Sequence, residues 1–292
     1  MRLTDLHRYP VKSMRGEALD AAGLEPWGLA DDRRWMLVDD DGRALTAREV
    51  NGLLLVTPTL TAAGLHLVAP GHPPLDVRRP DPAAAGVAVP VSLWHSELGA
   101  ADAGEEARAW CTAVAGRPAR LVHLDDPRRR PTDPAYGDPG DRVSFADGYP
   151  LLLTTRESLA ALEEVLVADG ADAGSVPMAR FRPNVVVEGA PAWAEDDWRR
   201  VRIGATEFRA VKGCARCVMT TVDPETGRRG PEPVRSLAKV RRFDRQTWFG
   251  VNLVPDLDHD ATSTWPVLRV GDEVEVLDAV EPGAGPLRAA RG

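Results

Sequence analysis

The sequence is poor in cysteine: Cys111, Cys214 and Cys217 are the only three in 292 residues. An odd and small number argues against a disulfide framework and suits a reducing compartment, so a cytoplasmic protein is expected. Long apolar runs are also missing. No window approaches the ~18 residues that a membrane-spanning helix needs. The opening Met1-Arg2-Leu3-Thr4-Asp5-Leu6 meets charge at once, unlike a signal peptide. No membrane partner is expected. Positive charge is not in excess either: the formal net charge is −8. Phosphate backbones are bound by basic surfaces, so no nucleic-acid binding is expected. Neither G-x-x-x-x-G-K-[ST] nor G-x-G-x-x-G occurs, which removes the usual glycine-rich nucleotide cradles. No internal repeat is found.

What remains is an ordinary globular composition, 43% hydrophobic and 27% charged, long enough for one large domain or two ordinary ones. Leu3 to Tyr9 reads as a short strand, with Lys12 and Ser13 on the loop after Pro10. Asp32 to Ala47 reads as a hairpin turning at Asp39-Asp40-Asp41-Gly42. Short strand-like runs continue from Leu53 to Val77, then a Pro/Ala-rich loop to Val89. Gly104 to Gly116 has helix formers, early acids and a closing glycine, with Cys111 as packing. Asp125 to Arg142 is turn-rich and carries an arginine run, expected as a solvated loop. Leu151-Leu152-Leu153 is an apolar strand, and Thr155 caps a helix running to about Ala168. Val185-Val186-Val187 follows Arg182-Pro183-Asn184 as a buried strand. Phe249 to Asn252 and Val267 to Leu277 read as closing strands. The expected class is mainly β with a few helices, an α+β protein.

Two of the three cysteines lie in V-K-G-C-A-R-C-V-M-T-T-V-D-P-E-T-G, residues 211–227. Before them, Trp198 to Ala210 reads as two alternating strands joined at Ile203-Gly204-Ala205-Thr206. After them, Val218 to Val222 fits a strand and Asp223 to Gly227 a polar turn, which puts the cysteines at a bend. Structural zinc wants four ligands, and no second C-x-x-C or close histidine pair exists. A thioredoxin-like pair should open a helix, yet Thr220, Thr221, Val222 and Pro224 follow. Two buried thiols acting as small hydrophobes remain the plainer alternative to any chemistry. Arg216, next to Cys217, would favour a thiolate.

The string C-A-R-C-V-M-T-T-V-D-P-E-T-G nevertheless resembles the signature of the MOSC domain, the C-terminal module of molybdenum cofactor sulfurases. Tyr9-Pro10-Val11-Lys12-Ser13 is similar to the start of the β-barrel domain that precedes many MOSC domains. Asp32-Arg33-Arg34-Trp35, Ser144 to Pro150, and Phe181-Arg182-Pro183-Asn184 match in family order. The likeness is to bacterial YcbX-type proteins and mitochondrial amidoxime-reducing components. It implies a MOSC N-terminal β-barrel domain over residues 1–122, a MOSC β-barrel domain over 123–278, and a flexible tail over 279–292.

The resemblance also implies a site for the molybdenum cofactor (Mo-molybdopterin), with Cys217 as metal ligand and Cys217 and Asp147 as catalytic groups. Lys12, Ser13, Arg33, Arg182 and Asn184 would hold the cofactor's phosphate and pterin, and Arg216 would bind at the metal end, stabilising charge on the thiolate and oxo groups. Without the resemblance, Lys12 reads as a solvated lysine and Arg33 as a partner of Asp31 or Asp32. Arg182 would merely cap a sheet edge. At the loop Ser144 to Pro150 the animal members carry small hydroxyl residues where this chain has Gly148 and Tyr149, so only Asp147 transfers cleanly. The implied reaction is two-electron reduction of N-hydroxylated compounds (hydroxylamines, amidoximes, N-hydroxylated bases) to amines or amidines. Electrons would come from a separate protein, a ferredoxin or flavoprotein, since no cysteine follows Cys217 to build an iron–sulfur cluster. The alternative is a non-redox cofactor-binding or sulfur-carrier module in which Cys214 or Cys217 holds a persulfide.

Overall fold

A computed structural model describes residues 1–81, 83, 88–258 and 265–288. Its α-helices are Glu105–Ala115, Arg156–Ala168 and Val234–Val240, and strands make most of the remaining regular structure. The expected α+β class, rich in β, is what forms.

The central sheet runs in the order Glu17–Leu19, Arg2–Arg8, Val185–Glu188, Leu151–Thr155, Gln246–Pro255, Thr206–Arg216, Trp198–Ile203, Val274–Ala279. Its first two strands come from the chain's beginning and the others from its second half, so the two halves share hydrogen bonds. At the far edge the sheet curls back: Val274 N–H donates to Met1 O at 3.0 Å, and Leu3 N–H to Asp272 O at 2.9 Å. Such curling is how a twisted sheet approaches a barrel. Leu3, Leu6, Leu153, Val185, Val201, Phe208 and Leu253 fill it.

Leu151–Thr155 and Val185–Glu188 are parallel. Parallel neighbours need a crossover, supplied by the Arg156–Ala168 helix. Thr155 caps that helix as expected, its hydroxyl accepting from Ser158 N–H. A second sheet, ordered Ala88–Leu93, Ser96–Asp102, Arg120–His123, Trp35–Val38, Ala44–Leu45, contains the expected hairpin, and Thr57–Arg78 forms a small three-stranded sheet. Cys111 is fully buried in the core between them.

Four features differ from the sequence expectation. The strand carrying the C-x-x-C motif runs on to Arg216, so Cys214 sits on a strand and only Cys217 lies at the bend. Val218–Thr221 is a 3-10 turn, not a strand. The Thr220 and Thr221 hydroxyls donate to the carbonyls of Cys217 and Val218, which satisfies the backbone locally instead of through a ladder. The arginine run is not uniformly solvated, because Arg130 is buried. Finally, the segment after Ala279 is held as far as it is described: Gly213 N–H donates to Leu287 O at 2.8 Å. A Cβ on Gly213 would come within 2.9 Å of Pro286, so glycine is what lets the segment lie flat there. Residues 289–292 lie outside the described residues.

Candidate cofactor and substrate cleft

Backbone hydrogen bonds gather distant segments at one end of the central sheet. Arg33 N–H donates to Tyr9 O, Phe145 N–H to Arg33 O, and Lys12 N–H to Trp35 O. His7 N–H reaches Asn184 O, and Asn184 N–H reaches Leu152 O. The strand Arg2–Arg8 ends here, and Leu151–Thr155 and Val185–Glu188 begin here. The register of Thr206–Arg216 against Gln246–Pro255 shifts between Gly213 and Ala215, an irregularity that re-aims the side chains around Cys214. The result is a cleft lined by Lys12, Ser13, Arg33, Asp147, Arg182, Asn184, Arg216 and Cys217, together with Arg48, Arg180, Cys214 and Tyr149 among others. All eight sequence-derived candidates therefore meet in one place.

Several are held in unusual backbone. Ser13, Arg33 and Arg182 have φ of 68°, 48° and 55°. Non-glycine residues seldom adopt this left-handed region, and where they do the surroundings must hold them. Here the surroundings are aromatic and charged. The guanidinium carbons of Arg33 and Arg182 lie 4.3 and 4.1 Å from the centroid of the Tyr9 ring. The Tyr9 hydroxyl donates to Pro183 O at 3.1 Å.

The cations differ in how they are compensated. Arg33 donates to Asp32 at 2.6 Å and to Asn184 Oδ1 at 3.1 Å. Burial works against its charge, but Asp32 and Tyr9 outweigh it and raise its pKa. Asn184 is itself occupied, its Nδ2 donating to His7 O and its Oδ1 also accepting from Leu152 N–H. It orients Arg33 as much as it faces the cleft. Arg180 pairs with Asp223 at 3.3 Å. Arg182 and Arg216 have no carboxylate partner among the described residues. Arg182 donates to Met14 O at 2.7 Å, and its Nη2 is buried without a partner. Burial, with repulsion from Arg33, pulls its pKa down to about 10. Arg216 donates to Phe181 O at 2.7 Å and to Cys214 Sγ at 2.8 Å, and its Nε is buried and unpartnered. The sequence suggested that Arg216 serves Cys217; its hydrogen bond goes to Cys214 instead, because alternate residues of a strand share a face. Despite that bond, burial pushes the Cys214 thiol pKa up.

Lys12 and Asp147 also line the cleft. Lys12 Nζ donates to Asp147 at 2.5 Å and to Phe145 O at 2.9 Å. Burial draws the Lys12 pKa down to about 8, against the upward pull of Asp147. Asp147 also accepts from Arg48 at 3.2 Å. Its carboxyl lies well below the usual range: desolvation raises it, but Lys12, Arg48 and Arg33 together outweigh that cost. The loop bearing Asp147 is gripped from behind by Arg130, which donates to the carbonyls of Ser144, Ala146 and Asp147. Nothing local in the sequence separates Arg130 from Arg128 and Arg129. Arg48 was likewise missed, as its neighbourhood carries no motif.

The donor set fits a large anion that brings its own metal. Unpaired guanidinium N–H groups suit phosphate and pterin oxygens. Among the described residues no group of three or more His, Cys, Asp or Glu side chains is placed to hold a bare ion. A metal already held by sulfur needs only one further soft ligand, and Cys217 supplies a free thiol.

Comparison with known proteins gives two family matches, a MOSC N-terminal beta barrel domain over residues 1–118 and a MOSC domain over residues 140–275. The human protein named mitochondrial amidoxime-reducing component 1 is 34% identical over 288 residues, covering 92% of this chain and 81% of that protein. Its zebrafish counterpart is 32% identical over 254 residues, covering 83% and 75%. Zebrafish molybdenum cofactor sulfurase is 32% identical over 291 residues, which are 93% of this chain and 34% of that protein. Among solved structures, the YUAD protein from Bacillus subtilis aligns over 94% of this chain at a TM-score of 0.40 and 10% identity, too loose to argue from.

Proposed function

The chain belongs to the MOSC family, its MOSC domain preceded by a MOSC N-terminal β-barrel domain, and from that premise we propose that it is a molybdenum cofactor-dependent reductase of N-hydroxylated compounds. The observation that carries this reading is the pair Arg182 and Arg216. Both are cations without a carboxylate partner among the described residues, each with a buried N–H left over, in a cleft that also holds a free thiol. An acidic chain that leaves two guanidinium groups unpaired is built to receive an anion. When bound, the molybdenum cofactor supplies the two-electron removal of oxygen from the N–OH group.

The chain's own residues divide the remaining work. Lys12, Ser13, Arg33 and Arg182 bind phosphate and pterin oxygens, and Asn184 fixes the angle of Arg33. Arg216 braces the strand end before Cys217, the thiolate ligand to the metal. Asp147, ionised at neutral pH, accepts a hydrogen bond from the substrate's N–H and orients the N–OH group. Lys12 Nζ, with its pKa drawn down to about 8, holds a proton at neutral pH and can release one. Electrons come from a separate ferredoxin or flavoprotein through a transient contact. Three free thiols fit residence in the cytoplasm.

The bond from Arg216 to Cys214 Sγ favours a second reading, in which a persulfide on Cys214 is carried for delivery. Metal analysis separates the two. The reductase should hold about one molybdenum per chain, and Cys217→Ser should lose it because a hydroxyl is a poor ligand for a soft metal. Cys214→Ser should keep it. Cyanide-releasable sulfur on a metal-free protein, lost with Cys214→Ser, would favour the carrier.

A further inference from the structure

We propose that Trp94 is a specificity-determining residue at the rim of the cleft, a platform on which the flat body of an aromatic N-hydroxylated substrate stacks. The inference rests on the reductase reading above. Trp94 follows Leu93, which pairs with Ser96 across the hairpin of Ala88–Leu93 and Ser96–Asp102. The connection is thus two residues, Trp94 and His95. Trp94 takes φ of 56°, in the region that a two-residue turn normally gives to glycine or asparagine. A bulky side chain held there is an outlier that calls for a cause. Core packing is not the cause, since Trp94 is 45% exposed and is the sole aromatic among the exposed large hydrophobic residues described.

Its neighbours point to the cleft. The Arg48 guanidinium lies 4.3 Å from the indole centroid and Lys12 Nζ 5.6 Å from it. Both cations line the cleft, and both bind Asp147, at 3.2 and 2.5 Å. The indole is therefore tied through two separate cations to the carboxylate assigned to the substrate's N–H. A planar amidine head on Asp147 leaves its aromatic body to extend along the rim, within reach of the indole. Tryptophan offers a large, rigid, electron-rich face for such a ring. Hydroxylamine has no ring and gains nothing from it.

The test uses cofactor-loaded protein driven by an artificial one-electron dye, comparing an aryl amidoxime with hydroxylamine. In Trp94→Gly, the ratio of kcat/KM for the aryl amidoxime to that for hydroxylamine should fall about tenfold, carried by KM, as expected for a lost aromatic contact. Trp94→Phe should recover most of that ratio. The thermal midpoint of Trp94→Gly should hold or rise, because glycine suits the backbone. A ratio that does not move, or an equal fall in kcat on both substrates, would overturn the proposal and leave the indole as packing for Arg48. Calorimetric titration of the aryl amidoxime provides a readout independent of turnover, with Kd expected about tenfold weaker in Trp94→Gly. Should wild-type protein reduce neither substrate, the reductase reading fails, and the titration still decides the role of Trp94.

Discussion

Replacing Arg182 by methionine should make the empty protein slightly more stable and the cofactor complex much weaker. At neutral pH the guanidinium is charged in both folded and unfolded chains. Its pKa, lowered from 12.5 to about 10 chiefly by burial, means that folding works against this charge. At 1.36 kcal/mol per unit the full shift would be about 3 kcal/mol, and solvent reaching the cleft reduces it to about 1–3 kcal/mol. Against that stands the hydrogen bond to Met14 O, worth roughly 1.5–3 kcal/mol for a charged donor at best. Stacking over Tyr9 is largely replaced, since a methionine thioether packs well on a ring edge. The unpartnered Nη2 tips the balance, because removing it removes a buried group that had no bond to lose. A net gain of about 0–1 kcal/mol is expected, or at most about 2–4 °C in thermal midpoint. Cofactor binding should move the other way. One lost charge-assisted contact to phosphate, roughly 1.5–3 kcal/mol, weakens Kd about 10- to 150-fold. The assays are thermal unfolding without cofactor and a titration of released molybdenum cofactor into the same protein. A destabilised empty protein with unchanged cofactor affinity would refute the reasoning and make Arg182 a structural residue.

Two further predictions concern protons. With Lys12 as proton holder, kcat/KM should fall as pH rises through about 8, where its ammonium is lost. Asp147→Asn removes the carboxylate that raises the Lys12 pKa, so that descending limb should shift to lower pH; a shift upward would sink the assignment. Glu195 is fully buried, and burial pushes its carboxyl up from 4.5 to about 7. Its folded pKa exceeds its unfolded one, so its contribution is fully present below about pH 4.5 and is lost as pH rises through about 7. Glu195→Gln should flatten the stability profile between those limits in denaturant titrations, and an unchanged slope there would count against a buried neutral carboxyl.

Much of the fold was legible because it rests on local patterns. The Thr155 cap and the helix after it, the hairpin near Asp39–Gly42, and Gly116 closing the first helix in a left-handed conformation are all set by residues within a turn of each other. Where tertiary contact competed with propensity, the reading failed. Val218–Thr221 has the β-branched look of a strand, but its hydroxyls turn back on the chain. Arg130 looks like its neighbours, yet it alone has three carbonyls of the Asp147 loop within reach.

For the site, the sequence named candidates only through motif segments that stand in family order, since residue by residue Lys12, Arg33 and Arg182 read as ordinary surface or edge cations. It also determined what the site lacks: no second metal-ligating cysteine pair, and no glycine-rich nucleotide cradle. Only the tertiary structure decided how the charges are apportioned. Arg33 is neutralised by Asp32, Lys12 by Asp147, and Arg182 and Arg216 by neither. It likewise decided that Arg216 turns to Cys214, that Arg48 binds Asp147, and that Trp94 stands beside Arg48. The physical reason is range. Helix caps and turns are fixed by a few neighbouring dihedrals, whereas charge compensation depends on distances between residues such as Lys12 and Asp147, which are far apart in the chain until the sheet closes.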